Sequence, residues 1–107
     1  MARFNGFGGG ANNMQALMRQ AQKMQEEALK AQQEVDEAEV EGQASGGLVK
    51  VVLQGNKNPI SVSIDPSVVD PDDVEMLEDL IVAAFSDASN KADQLRQDKL
   101  GRFGGMM

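Results

Sequence analysis

The 107-residue chain contains no cysteine, histidine, tryptophan or tyrosine, and only three prolines and four phenylalanines. Without cysteine, neither disulfides nor thiolate metal sites can form. Without histidine, the usual general base near neutral pH and the commonest imidazole ligand are missing. Most enzyme classes become improbable, and neither a cofactor nor a small-molecule substrate is expected. Long apolar runs are also lacking: no segment approaches the roughly 20 apolar residues of a membrane span or the apolar core of a signal peptide. A cytoplasmic chain with no membrane partner is the expectation. Phe85 is the lone internal aromatic, since Phe4, Phe7 and Phe103 lie near the ends. A domain of this size buries only about two thirds of its unfolded surface, so self-association would stabilise it appreciably.

Charge is abundant but unevenly placed. The net charge is -7. Residues 1–33 carry four basic against two acidic groups, 34–41 carry five acidic groups and no basic one, and 61–90 carry eight acidic groups and no basic one. Residues 42–60 and 91–107 each have a net charge of +2. At physiological salt the screening length is about 8 Å, so a basic end can act almost independently of an acidic middle.

From Met14 the apolar residues recur as Met14, Leu17, Ala21, Met24, Ala28, Ala31, Val35 and Ala38. This strict 3-4 spacing predicts one long helix of about 23 residues, roughly 35 Å, with Asn12 or Asn13 as N-cap. Its narrow seam of small side chains reads as a packing face. Near Asp36 the period changes to two, with Glu37, Glu39, Glu41 and Gln43 alternating with Ala38, Val40, Gly42 and Ala44. A turn at Ser45–Gly47 precedes a second strand in which Val49, Val51 and Leu53 share one side. After a turn over residues 55–59, Ile60, Val62 and Ile64 alternate with Ser61 and Ser63. A three-stranded antiparallel meander follows. The second helix is expected from Pro71 to about Lys99, capped by Asp70, with Val69 stapled to Val74. Residues 80–85 are apolar on every side and need two covers, the sheet and a second subunit, which makes Leu80, Ile81, Ala84 and Phe85 candidates for a dimer interface.

Charge pairs are expected for Lys23 with Glu27, Lys30 with Glu26, Lys91 with Asp87 and Arg102 with Asp98. Arg19 has no such acidic neighbour and ranks first for phosphate contact, followed by Lys23, Lys30, Arg96 and Lys99. Arg19, Lys23 and Lys30 fall on the side of the first helix away from its apolar seam. The Gly-rich ends, RFNGFGGG and GRFGGMM, read as flexible tails covering residues 1–11 and 101–107, around a single domain over 12–100. Ser61, Ser63 and Asp65 carry no partner that would make a nucleophile of either hydroxyl.

The strings GLVKV, IDPS and MLEDLIVAAFSDA, with the preceding MRQAQKMQEEALKAQQEV and VEGQASGG, closely resemble the YbaB/EbfC family of bacterial nucleoid-associated proteins over about residues 12–100. The resemblance implies an α+β fold of order α-β-β-β-α: a three-stranded antiparallel sheet flanked by two long helices, dimeric with protruding helical arms. It also implies a nucleoid-associated homodimer that binds double-stranded DNA with little sequence preference and alters its conformation. The family supplies no contact motif, so the basic candidates rest on helix geometry alone. The alternative is a dimeric protein-interaction module for which DNA contact is incidental.

Overall fold

The computed structural model describes residues 2–101 and 103, with side chains from Asn13 onward. Its elements are α1 (Ala2–Glu37), β1 (Glu39–Ala44), β2 (Val49–Gln54), β3 (Pro59–Ile64) and α2 (Val74–Leu100), with 3-10 turns at Ser45–Gly47 and Pro66–Val68. The order is the expected α-β-β-β-α. Contacts divide the chain into two compact units, residues 1–30 and 31–107.

The first unit is helical from Ala2. The helix therefore begins well before the cap expected at Asn12 or Asn13, and α1 has 36 residues instead of about 23. No proline interrupts this stretch, and once a helix is nucleated each further residue adds one hydrogen bond. Glycine lowers helix stability by about 1 kcal/mol relative to alanine, so the segment containing Gly6, Gly8, Gly9 and Gly10 has the weakest intrinsic preference for this state. From Asn13 to Glu27 every side chain is exposed.

The second unit holds a sheet of strand order β1-β2-β3, antiparallel throughout. Gly42 pairs with Val51 and Val51 with Val62, which puts Val40, Gly42 and Ala44 on the same face as Val49, Val51, Leu53, Val62 and Ile64. The other face presents Glu41, Gln43, Lys50, Ser61 and Ser63 to solvent. A bulge at Val52 and Leu53 shifts the pairing so that Leu53 opposes Pro59. Val49, Val51 and Leu53 are fully buried and form the core with Val68, Ala84 and Ala88, against which Leu77, Leu80, Ile81 and Ile64 pack.

Small residues let α2 come close to the sheet. Ala84, Ala88 and Ala92 recur every fourth residue and are completely buried. A Cβ at Gly42 would overlap the Ala84 carbonyl and the backbone nitrogen of Ala88, so β1 and α2 meet backbone to backbone. Gly55 plays the corresponding part at the end of β2. Its N–H donates to the Ala38 carbonyl at 2.7 Å, and a Cβ there would overlap the Val35 carbonyl.

The start of α2 differs from expectation. Asp73 is the N-cap, accepting the Met76 N–H at 3.2 Å, and the helix begins at Val74. Asp70 instead closes the preceding turn, its carboxylate accepting the Asp72 N–H and its carbonyl the Asp73 N–H, both at 2.9 Å. Pro71 sits inside that turn. With three aspartates within four residues, each can accept a backbone N–H two or three residues on, and the tertiary path decides which one caps the helix. Asp65 closes a similar turn over the IDPS motif, accepting the Ser67 N–H at 2.9 Å.

Candidate nucleic-acid interface

Arg19, Lys23 and Lys30 lie on one continuous helix. At about 100° per residue they fall within about 40° of one another, spread over roughly 16 Å of helix axis and opposite the Met14, Leu17, Ala21 and Met24 stripe. All three are exposed. Among the described residues none of them forms an ion pair, and the pairs expected for Lys23 with Glu27 and Lys30 with Glu26 are not made. A row of cations whose ammonium and guanidinium groups remain hydrated can trade water and counterions for phosphates at little cost. Glu26 shares this face and reduces its net charge.

Arg96 and Lys99, in the last turns of α2, are placed differently from each other. Arg96 donates to the Asp36 carboxylate at 2.9 Å, with both side chains partly buried, so this cation is already engaged at the end of α1. Lys99 is exposed and makes no ion pair among the described residues. Arg96 also lines an open cleft of about 670 Å³ with Asn90, Asp93, Gln94, Gln97 and Leu100. Asp98 accepts from the Gln94 side-chain amide at 3.0 Å, and its expected partner Arg102 lies outside the described residues.

Two further cations tie elements of the second unit together. Lys57, at the tip of the β2–β3 turn with a φ of 70°, reaches Asp93 of α2 at 3.0 Å. Lys91 pairs with Asp87 at 3.3 Å, as the spacing predicts, and also donates to the Glu41 carbonyl at 2.9 Å. The Asp87 carboxylate is held below the usual carboxylate range, chiefly by the hydrogen bond from the Gln43 N–H and then by Lys91, against a small opposing effect of desolvation. Asp65 is lowered by the Ser67 N–H and hydroxyl. Neither the Asp36–Arg96 pair nor the Asp87–Gln43 contact is visible locally in the sequence, because the partners are 60 and 44 residues apart.

The four residues singled out for a dimer interface separate into two kinds. Ala84 is completely buried against β1, and Leu80 and Ile81 pack against the core of their own chain. Phe85 is 43% exposed, and its neighbour Val82, not singled out, is 64% exposed. The apolar run at 80–85 thus has one face covered and another open.

With this geometry in view, comparison with known proteins is specific. The model of the YbaB/EbfC DNA-binding family matches residues 10–107. The chain belongs to the YbaB/EbfC family. A nucleoid-associated protein of Rhodococcus jostii is 53% identical over 97 residues, covering 91% of this chain and 86% of that protein. One from Mycobacterium bovis is 54% identical over 95 residues, covering 89% of this chain and 71% of that protein. An uncharacterised protein from Helicobacter pylori has a similar fold, with a TM-score of 0.58 at 19% identity, over 73% of this chain and 90% of that one. This YbaB/EbfC member is thus of a DNA-binding family, not a known enzyme family. Among its described residues no helix is long and apolar enough to cross a membrane.

Proposed function

We propose that this protein acts at the bacterial nucleoid in the cytoplasm, binding double-stranded DNA through phosphates with little sequence preference and altering DNA conformation. The observation that carries this reading is the row of Arg19, Lys23 and Lys30, exposed, on one helix face and without ion-pair partners among the described residues. Phosphate contacts fix position but carry no base identity, and a straight row of cations has no means of reading groove edges in register. Lys99 is a secondary candidate. Arg96 would first have to leave Asp36, which ranks it last. A rigid helix that fixes several phosphates also constrains the path of the duplex between them, which is the route to a changed DNA shape.

Self-association belongs to this reading. The open side of α2 at Val82 and Phe85 and the half-exposed Ile60 and Val62 of β3 are apolar surface that a second copy would cover. Residues 12–100 act as the binding domain, with 1–11 and 101–107 as tails outside it.

Fluorescence anisotropy of two unrelated duplexes between 25 and 200 mM salt tests the proposal. Equal affinities and a log-log salt slope near -3.6, for about four phosphates neutralised, are expected. No binding at 25 mM salt would contradict it. A second reading, a protein-interaction module with incidental DNA contact, draws on the exposed Met14, Leu17, Met18 and Met24. Unchanged DNA affinity after replacing Arg19, Lys23 and Lys30 with glutamate would remove the α1 surface and leave that alternative standing.

A further inference from the structure

All the sulfur in this chain is thioether. Methionine occurs seven times and cysteine not at all, and tryptophan, tyrosine and histidine, the other readily oxidised side chains, are missing too. The methionines among the described residues are Met14, Met18, Met24 and Met76, exposed by 62%, 68%, 43% and 40% respectively. Three of these four fall on α1, within the stretch where no side chain is buried. An oxidant in solution therefore finds most of these reachable targets on α1.

Met14 and Met18 are one turn apart with Leu17 beside them, and Met24 lies about 80° around the axis from Met14. Apolar side chains three or four residues apart stabilise a helix on which nothing else packs, and unbranched methionine is itself among the better helix formers. Arg19, Lys23 and Lys30 fall about 140° to 180° from Met14, on the opposite side. That cationic row exists only while the backbone is helical, since an unwound chain gives the three charges no common side. Met76 is placed differently. It lies in the first turn of α2, whose Ala84, Ala88 and Ala92 are completely buried, so its helix is held by packing.

We propose that Met14, Met18 and Met24 are an oxidation site that regulates DNA binding: their conversion to sulfoxides loosens this part of α1 and disperses the cationic row. The inference rests on the assignment of phosphate contact to Arg19, Lys23 and Lys30 and adds a control on it. The oxidant class is a hydroperoxide, in the simplest case hydrogen peroxide. The thioether sulfur attacks one peroxide oxygen and the O–O bond breaks. Sulfur gives up two electrons and keeps that oxygen, whose proton passes to the departing hydroxide, and water leaves. The product is polar and chiral, and it is reduced back by enzymes dedicated to each sulfoxide epimer. Because a sulfoxide is neutral, the charge of α1 is unchanged and DNA affinity falls only through helix order. Oxidation of Met76 has little consequence, because α2 is held by its buried alanines.

Hydrogen peroxide treatment of the full chain, with peptide mass spectrometry to locate sulfoxide, tests the proposal. Once Met14, Met18 and Met24 are oxidised, the helical circular dichroism signal should fall, and anisotropy at 50 mM salt should show DNA bound at least about fivefold more weakly. Methionine sulfoxide reductases acting on both epimers should restore both signals. A variant carrying Met14→Leu, Met18→Leu and Met24→Leu should bind like wild type before treatment and stay within about twofold of it afterwards, since leucine matches methionine in helix preference and has no sulfur to oxidise. Met76→Leu alone should give no such protection. Wild type that keeps its affinity and helix content with all three sites oxidised overturns the proposal, and so does a triple variant that loses affinity as wild type does. Either outcome leaves the phosphate reading intact. Untreated wild type that fails to bind DNA at 25 mM salt overturns the phosphate reading and this regulation together.

Discussion

Residues 13–27 of α1 and the sheet-and-helix unit that follows are built on opposite principles. In the first, no side chain is buried, and the helix depends on the intrinsic preference of its Ala, Gln, Glu, Lys and Met residues. In the second, Val49, Val51 and Leu53 are fully buried, and two glycines are required by backbone approaches closer than any Cβ allows. Except for Lys99 at the end of α2, which is unpaired among the described residues, cations follow the same division. Lys50, Lys57, Lys91 and Arg96 each pair with a carboxylate within the second unit, whereas Arg19 and Lys23 pair with none among the described residues. The comparison teaches that charge used to hold a fold is not available to a ligand. Substitutions in the two regions should therefore separate stability from binding.

The largest effect is expected where β1 touches α2. Gly42→Val forces a side chain into the Ala84 and Ala88 backbone, and should lower unfolding free energy by about 3 kcal/mol or more in chemical denaturation, with DNA binding lost only because the protein unfolds. Leu53→Ala should cost about 2 to 4 kcal/mol in the same measurement, since it empties a fully buried position. If either were neutral, the second unit would not be held together by packing as described.

Smaller changes sharpen the comparison. Arg96→Ala removes the pair with Asp36, whose members are both partly exposed, and should cost no more than about 1 kcal/mol. Its effect on DNA affinity should be smaller than that of Arg19→Ala, as anisotropy would show. The pH dependence concerns Asp87. Because its folded value lies below the ordinary carboxylate value, its contribution to stability is present above about pH 4 and lost as pH falls further through the lowered value. Asp87→Asn should flatten that acid limb in thermal melts from pH 6 to 2.5, and an unchanged limb would mean that Asp87 does not hold β1.

Much of the second unit was legible in the chain. Alternation of period two placed β2 and β3 and assigned Val49, Val51 and Leu53 to one face, and the four-residue spacing of Asp87 and Lys91 gave their ion pair. Their target did not show, because the backbone groups of Glu41 and Gln43 carry no sequence signal. The roles of Gly42 and Gly55 were hidden for a related reason: a glycine in a strand declares a close approach only once the approaching backbone is known. Among Asp70, Asp72 and Asp73 the choice of cap was degenerate, and expectation fell on the wrong aspartate. The seam of α1 was read correctly as helical, yet its exposure from Met14 to Met24 could not be foreseen, since periodicity gives the face and not what covers it.

The most direct measurement replaces Arg19, Lys23 and Lys30 together by glutamate and compares DNA affinity with wild type at 50 mM salt. Affinity should fall more than about tenfold and the salt slope should collapse toward zero, while unfolding free energy changes by no more than about 0.5 kcal/mol, because all three side chains are exposed. Unchanged affinity in a folded triple variant would contradict the assignment of DNA binding to α1.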